Sequence, residues 1–256
     1  MVKDWKWLVV IAWLSSGVGA GFAREYAEQW YDLLLIARNK KKTDTFTKYL
    51  SVLYPNIEIS SMIFDITEKW QIEKIKTELW KIKNISTLIN CFWYTSHKYF
   101  NKKKVRTPKD IITIQDKAAI DISQTTLEIM KKKKYGNIIH VSSLISLFAI
   151  GNNPIDATSK IFLNTSSDQL HNIRNDYNIS IQLLSPRLTD VDFGKIGKQN
   201  FKDKALCVKH VVKKSLYCKK QGDLICIPRF TNKIILTIYN ILPRTRSHTL
   251  FKRLVD

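Results

Sequence analysis

The chain has 256 residues, long enough to bury a full core, and a hydrophobic fraction of 45%, ordinary for a globular protein. Its 42 basic and 22 acidic residues leave a net charge of +20, and 33 of the 42 are lysines. Such a surface attracts polyanions, but no arginine-rich stripe or nucleic-acid motif accompanies the charge, which argues against a nucleic-acid binder. The lysine runs Lys40 to Lys42, Lys102 to Lys104 and Lys131 to Lys134 fall at apparent loops or helix ends and read first as solvated faces. The cysteines, Cys91, Cys207, Cys218 and Cys226, form no close-paired framework. Cys207 and His210 have no second pair at zinc-site spacing, so no metal is expected and the thiols read as reduced, in a cytoplasmic protein.

In chain order, the first element is an apolar run at Trp7 to Ala12. Lys3 and Lys6 before it give the look of a signal peptide, but a retained strand accounts better for the elements after it. Further candidate strands are Asp32 to Ala37, Met62 to Asp65, Thr87 to Asn90, Asn137 to Ser142, Ser180 to Leu184 and Leu224 to Ile227. Most lack polar alternation, as expected when both faces of a sheet are covered. Helical stretches lie between them, including Glu68 to Lys83, Pro108 to Lys132 and Pro154 to Asn172. Strand-helix alternation of this kind predicts an α/β fold: one doubly wound, Rossmann-like parallel sheet over residues 1–256, with helices on both faces. Ligands are then expected at the carboxyl ends of the strands. The segment of about residues 229–256 reads as an apolar, basic helical tail, with Asn232 to Leu242 strongly apolar and R-T-R-S-H-T-L-F-K-R-L after Pro243. It suits either packing on the core or lying at an anionic membrane interface.

The turn after the first strand carries chemistry. A-W-L-S-S-G-V-G, Ala12 to Gly19, runs into helical G-F-A-R-E-Y-A, and glycines here let backbone amides approach a pyrophosphate. Alone, the glycines could also form a simple tight turn. Further on, Ser143, Asp156 and Lys160 stand 13 and 4 residues apart, at a strand end and on the helix after it.

Together with D-L-L-L-I-A-R-N, F-D-I-T, L-I-N, V-S-S and D-A-T-S-K in that order, the turn resembles the short-chain dehydrogenase/reductase family over nearly the whole chain. The resemblance implies NADP(H)-dependent hydride transfer between nicotinamide and a small-molecule carbonyl or alcohol, in a homo-oligomer. The family's T-G-x-x-x-G-x-G falls on Ala12 to Gly19, so Ser15, Gly17, Val18 and Gly19 would lie along the cofactor, while Ala12 and Trp13 replace the threonine and first glycine. Asp65 and Ile66 match the pair beside the adenine. N-N-A-G falls on Asn90 to Trp93, where only Asn90 remains. Arg38 stands where a cation meets the 2′-phosphate of NADP, with NAD the lesser expectation; it also reads as a solvated loop arginine.

Of the catalytic set, Gln115 takes the asparagine's place, Ser143 the serine's (Ser142 competes for it), and Lys160 the lysine's. Asp156 stands where the family has its tyrosine acid. A carboxyl group titrates near pH 3.9, and lower beside an ammonium, so at neutral pH it has no proton to donate. Impaired turnover is expected. The alternative is a silent relative that serves as a module for a partner or an anionic membrane, cytoplasmic and peripheral to the bilayer.

Overall fold

The computed structural model describes residues 7–13, 17–66, 68–92, 116–148, 154–172, 174–187, 189 and 206–243. Ser15 and Gln115 lie outside these, and of Asp156 only the helical backbone is described.

Seven parallel strands form one sheet in the order β3-β2-β1-β4-β5-β6-β7. They are β1 Leu8–Ala12, β2 Asp32–Ala37, β3 Ile59–Ile63, β4 Ile85–Asn90, β5 Gly136–Val141, β6 Ile179–Leu184 and β7 Ile225–Cys226. The helices described are α1 Val18–Glu28, α2 Lys40–Leu53, α3 Lys69–Trp80, α4 Ala118–Lys133, α5 Leu144–Phe148, α6 Pro154–His171, α7 Arg174–Tyr177, α8 Val208–Gln221 and α9 Phe230–Ile241.

Successive side chains of a strand point to opposite faces, and here both faces are covered. Val9 and Ile11 meet Phe22, Ala23 and Tyr26 of α1 and Val211 and Val212 of α8. Leu8 and Val10 meet Ile72, Ile75 and Leu79 of α3, Ile122 and Met130 of α4 and Leu163 of α6. Every residue of β1, β4 and β5 is buried, which explains the apolar run of β1 and the absence of polar alternation in β4 and β5. Each fully buried aliphatic side chain contributes on the order of 1.5–3 kcal/mol.

All seven expected strands form, β2 within its expected limits and the others with shifted ones. The third was expected at Met62 to Asp65 but lies at Ile59–Ile63, paired with Leu33 to Ala37. It is an edge strand, and its I-S-S-M-I is only partly buried, so an apolar run was the wrong signal there. The four cysteines are free, as expected, but two of them are neighbours in space. Cys218 on α8 and Cys226 on β7 are both buried, with sulfurs 2.7 Å apart. Left-handed Gly222 (φ 76°) ends α8 and turns the chain back into β7, joining two thiols that the sequence spaces like unrelated residues. Burial, reinforced by the neighbouring thiol, pushes the Cys226 thiol well above its ordinary range.

Helix α1 approaches α8 closely at Gly21, where an added Cβ would collide with the Val208 side chain and press on Val212. Both neighbours are β-branched and cannot swing aside. Gly21→Ala should therefore cost about 1–3 kcal/mol by overpacking. Thermal melting of the variant, expected several degrees below the unaltered chain, checks this; an unchanged midpoint would contradict so tight a contact.

Candidate functional site at the carboxyl edge of the sheet

The site begins where β1 ends. Trp13 continues the ladder by donating its N–H to Ile36 O at 2.7 Å, but it does so with φ of 72°. That left-handed conformation suits glycine and strains a bulky residue by about 1–3 kcal/mol. The indole packs edge-on against Phe92, with ring centroids 6.2 Å apart. The Arg38 guanidinium lies 5.6 Å over the same indole. A tryptophan, a phenylalanine and an arginine are thus stacked beside the ends of β1, β2 and β4.

Gly17 precedes α1 with φ 70° and ψ −134°, a conformation open to glycine alone. No side chain caps the helix, so the first-turn amides of Val18 and Gly19 have the character of a phosphate cradle. Asp65 lies beyond β3, where its N–H donates to Gln71 Oε1 at 2.6 Å. Ile66 is buried in the core beside β1.

Lys160 joins the strand ends. It is 3% exposed, and its Nζ donates to Phe92 O at 2.9 Å and Val141 O at 3.5 Å. The ammonium therefore ties α6 to the ends of β4 and β5. Asp156 sits four residues earlier on the same helix, one turn away.

Ser142 and Ser143, ambiguous in sequence, differ in structure. Ser142 is buried, donates to Asn164 Oδ1 at 2.7 Å and lies 3.1 Å from Ser146 Oγ. Ser146 in turn donates to Ser143 O at 2.6 Å. Ser143 is half-buried. Ser142 is committed to holding α5 and α6 together, while Ser143 stands at the rim.

Beneath the site runs a chain of polar groups that sequence reasoning missed. Asn90 Nδ2 donates to Ser123 Oγ at 2.7 Å, and Ser123 Oγ lies 2.9 Å from His140 Nε2. His140 Nδ1 lies 2.7 Å from Ser167 Oγ, which donates to Leu163 O at 2.7 Å. Because Ser167 gives its proton to Leu163, it must accept from Nδ1–H; Nε2 then accepts from Ser123. The directions close only for a neutral imidazole. Burial first, and the Lys160 charge second, depress the His140 pKa to about 4. A histidine beside the apolar Ile138 and Ile139 and before Val141 was the available signal, since a buried polar side chain demands partners. Burial likewise pushes the Cys91 thiol up to about 12, which leaves it inert.

The structure thus brings Asn90, Ser143 and Lys160 to adjacent strand ends, with Gly17 and Arg38 along the neighbouring ends of β1 and β2. A polar cleft of about 260 Å³ lined by Tyr135, Asn137, Asn178 and Lys219 lies at the opposite, amino edge. None of the candidate residues lines it, so it is not part of this site.

A family model described as short chain dehydrogenase matches residues 7–202. The chain belongs to the short chain dehydrogenase family. A very-long-chain 3-oxoacyl-CoA reductase of Coccidioides immitis is 29% identical over 192 residues, 72% of this chain and 54% of that protein. The human inactive hydroxysteroid dehydrogenase-like protein 1 is 26% identical over 145 residues, covering 56% and 44%. The chain spans about half the length of the curated relatives it matches. Among solved structures, a short-chain dehydrogenase from Sphingobium yanoikuyae in complex with NADPH superposes with a TM-score of 0.80 at 20% identity, covering 93% and 96% of the two chains. A 7beta-hydroxysteroid dehydrogenase gives 0.83 at 13%, covering 96% and 97%. At those identities the likeness establishes the fold.

The buried histidine has a consequence for stability. Its pKa is about 4 when folded against an ordinary 6.5, so between those values the unfolded chain holds more protons. Stability contributed by neutral His140 is complete above about pH 6.5 and is lost as pH falls toward 4, by up to ~3 kcal/mol. Denaturant titrations at pH 7 and pH 5 should show the loss, and His140→Gln should flatten it. Equal pH dependence in both proteins would contradict a neutral buried imidazole.

Proposed function

We propose that this protein is an oxidoreductase of the short chain dehydrogenase family that binds NADP(H) weakly, with an inherited interconversion of a small carbonyl and its alcohol in which proton transfer is impaired. The observation that carries the reading is the register of α6, which sets Asp156 one turn before a buried Lys160 already bonded to Phe92 O and Val141 O.

The fit to a nicotinamide dinucleotide is partial. Gly17 and the uncapped start of α1 suit a pyrophosphate, and Arg38 stands where a 2′-phosphate would be met. Trp13 and Phe92 occupy space that glycine and alanine leave beside an adenosine, and Arg38 is already stacked on the indole. When bound, the cofactor would supply or accept hydride. Ser143 at the rim would hydrogen-bond the substrate oxygen, with Gln115 in the asparagine's role. Lys160 would hold the ribose from its place between the strand ends. Asp156, ionised near neutrality, has no proton to give that oxygen; loss of a general acid costs on the order of 10²- to 10⁴-fold. Asp65, Ile66 and Asn90 complete the proposed cofactor wall, the last two as buried parts of the core.

The second reading is a silent relative acting as a binding module, cytoplasmic and peripheral to a membrane. Among the described residues no helix is long and apolar enough to cross one. What favours this reading is the outward face of α9, where Phe230 and Ile241 are 74% and 76% exposed. A homo-oligomer is proposed on family grounds alone.

Asp156→Tyr should raise NADPH-dependent turnover on a carbonyl panel by about 10²-fold or more, if only the acid is missing. Trp13→Gly should tighten NADPH binding, read by cofactor fluorescence. Ordinary turnover by the unaltered chain, about 1 s⁻¹ or faster, would refute the impairment. No NADPH binding even with Trp13→Gly would favour the silent module.

A further inference from the structure

Helix α9 is apolar on two sides. Ile235, Leu236 and Tyr239 pack inward with Leu144, Leu147 and Ile227. Phe230, Ile234, Ile238 and Ile241 recur at i, i+4, i+8 and i+11, which aligns them on one outward stripe. Ile234 and Ile238 are 45% and 44% exposed, and the two at the helix ends more so. Isolated exposed apolar residues are ordinary, but four in a row on one helix mark an interaction surface.

Charge indicates the occupant. From Leu224 to Val255 the sequence has no acidic residue, against Arg229, Lys233, Arg244, Arg246, Lys252 and Arg253. Arg229 and Lys233 are exposed beside the stripe. Nucleic acid would match the charge but not Ile234, Ile238 and Ile241, since Phe230 alone in the stripe offers a ring for a base to stack upon. A second copy of the chain would match the apolar stripe but would bring like charges together. An anionic lipid surface matches both: apolar side chains enter the acyl boundary while the cations meet headgroups.

We infer that the outer face of α9 docks on an anionic membrane surface, with Phe230, Ile234, Ile238 and Ile241 inserted. The inward face of the helix packs on α5, which follows Ser143, so the docked helix would adjoin the candidate site. The inference stands whether or not the site turns over, because its readout is binding.

The test is flotation of the full chain with phosphatidylcholine vesicles, with and without phosphatidylserine, at low and high salt. Binding is expected only with phosphatidylserine, weakened by salt. Ile234→Asn with Ile238→Asn should reduce it at least tenfold, and Arg229→Gln with Lys233→Gln by about tenfold or more. Phe230→Ser with Ile241→Ser, at the more exposed ends, provides a milder pair, with circular dichroism and melting to certify folding. The inference is overturned by absence of binding to anionic vesicles, or by binding that folded stripe variants leave unchanged. It is also overturned if the stripe variants dissociate a dimer in solution without affecting flotation, or if salt-sensitive binding is to DNA alone.

Discussion

A parallel sheet covered on both faces must satisfy most of the polar groups it encloses without help from water. That constraint governs the region beneath the site more than any single contact does. Asn90, Ser123, His140, Ser167 and the Leu163 carbonyl form one directed chain across β4, α4, β5 and α6. Gln182 of β6 and Ser215 of α8 exchange a reciprocal pair on the other face. Lys160 meets the same demand with a charge, giving protons to two strand-end carbonyls. Breaking a buried hydrogen bond leaves its partner unsatisfied, at about 1–3 kcal/mol and more for a charged group. The strand ends are therefore held in register by groups that have no need of a ligand.

The sequence made the architecture legible because a doubly covered sheet writes itself as apolar runs. β1, β4 and β5 are buried throughout, and their limits were found to within about two residues. Edge strand β3 was misplaced because half of it faces water. Sequence order also pointed to Ser143 and Lys160 as candidates, and the structure sets both near the ends of β4 and β5. Sequence order could not separate Ser142 from Ser143, since that difference lies in whether Asn164, a helix away, accepts the hydroxyl proton. The neighbouring sulfurs of Cys218 and Cys226 were equally invisible, because a left-handed glycine between them reverses the chain. In each case the missing information was a tertiary contact made by a short polar or sulfur-bearing side chain.

On the proposed assignment, Trp13 would crowd the cofactor and yet persist in a sound fold. Its backbone is strained, yet its indole gains Phe92 at one edge and Arg38 over its face. An aromatic edge contact is worth about 0.5–1.5 kcal/mol and an exposed cation-π contact about 0.5–1. Those gains are of the same order as the strain. The turn can therefore tolerate tryptophan so long as its neighbours fill the space, and Phe92, in the alanine's place, does so.

On the proposed assignment, the positions that keep the family's residue and those that lose it divide along a physical line. Asn90 is bonded to Ser123 within the core, Lys160 to the ends of β4 and β5, and Gly17 has backbone angles that no other residue adopts comfortably. Each would destabilise the fold if replaced, whatever became of the cofactor. The altered positions, Trp13, Phe92 and Asp156, stand where the family keeps space for a dinucleotide or a proton for a substrate. Relaxed demand on chemistry would leave this pattern, because folding alone would go on selecting the first group. An active enzyme with an unusual substrate would instead need a replacement proton donor near Ser143 and a compensating contact for the adenosine. Among the described residues near that rim, Ser142 and Ser146 already give their protons to Asn164 and to the Ser143 carbonyl, and Cys91 is buried and inert. Among the described residues, then, the polar groups around the rim are committed to the fold, which is in keeping with the proposed impairment of proton transfer.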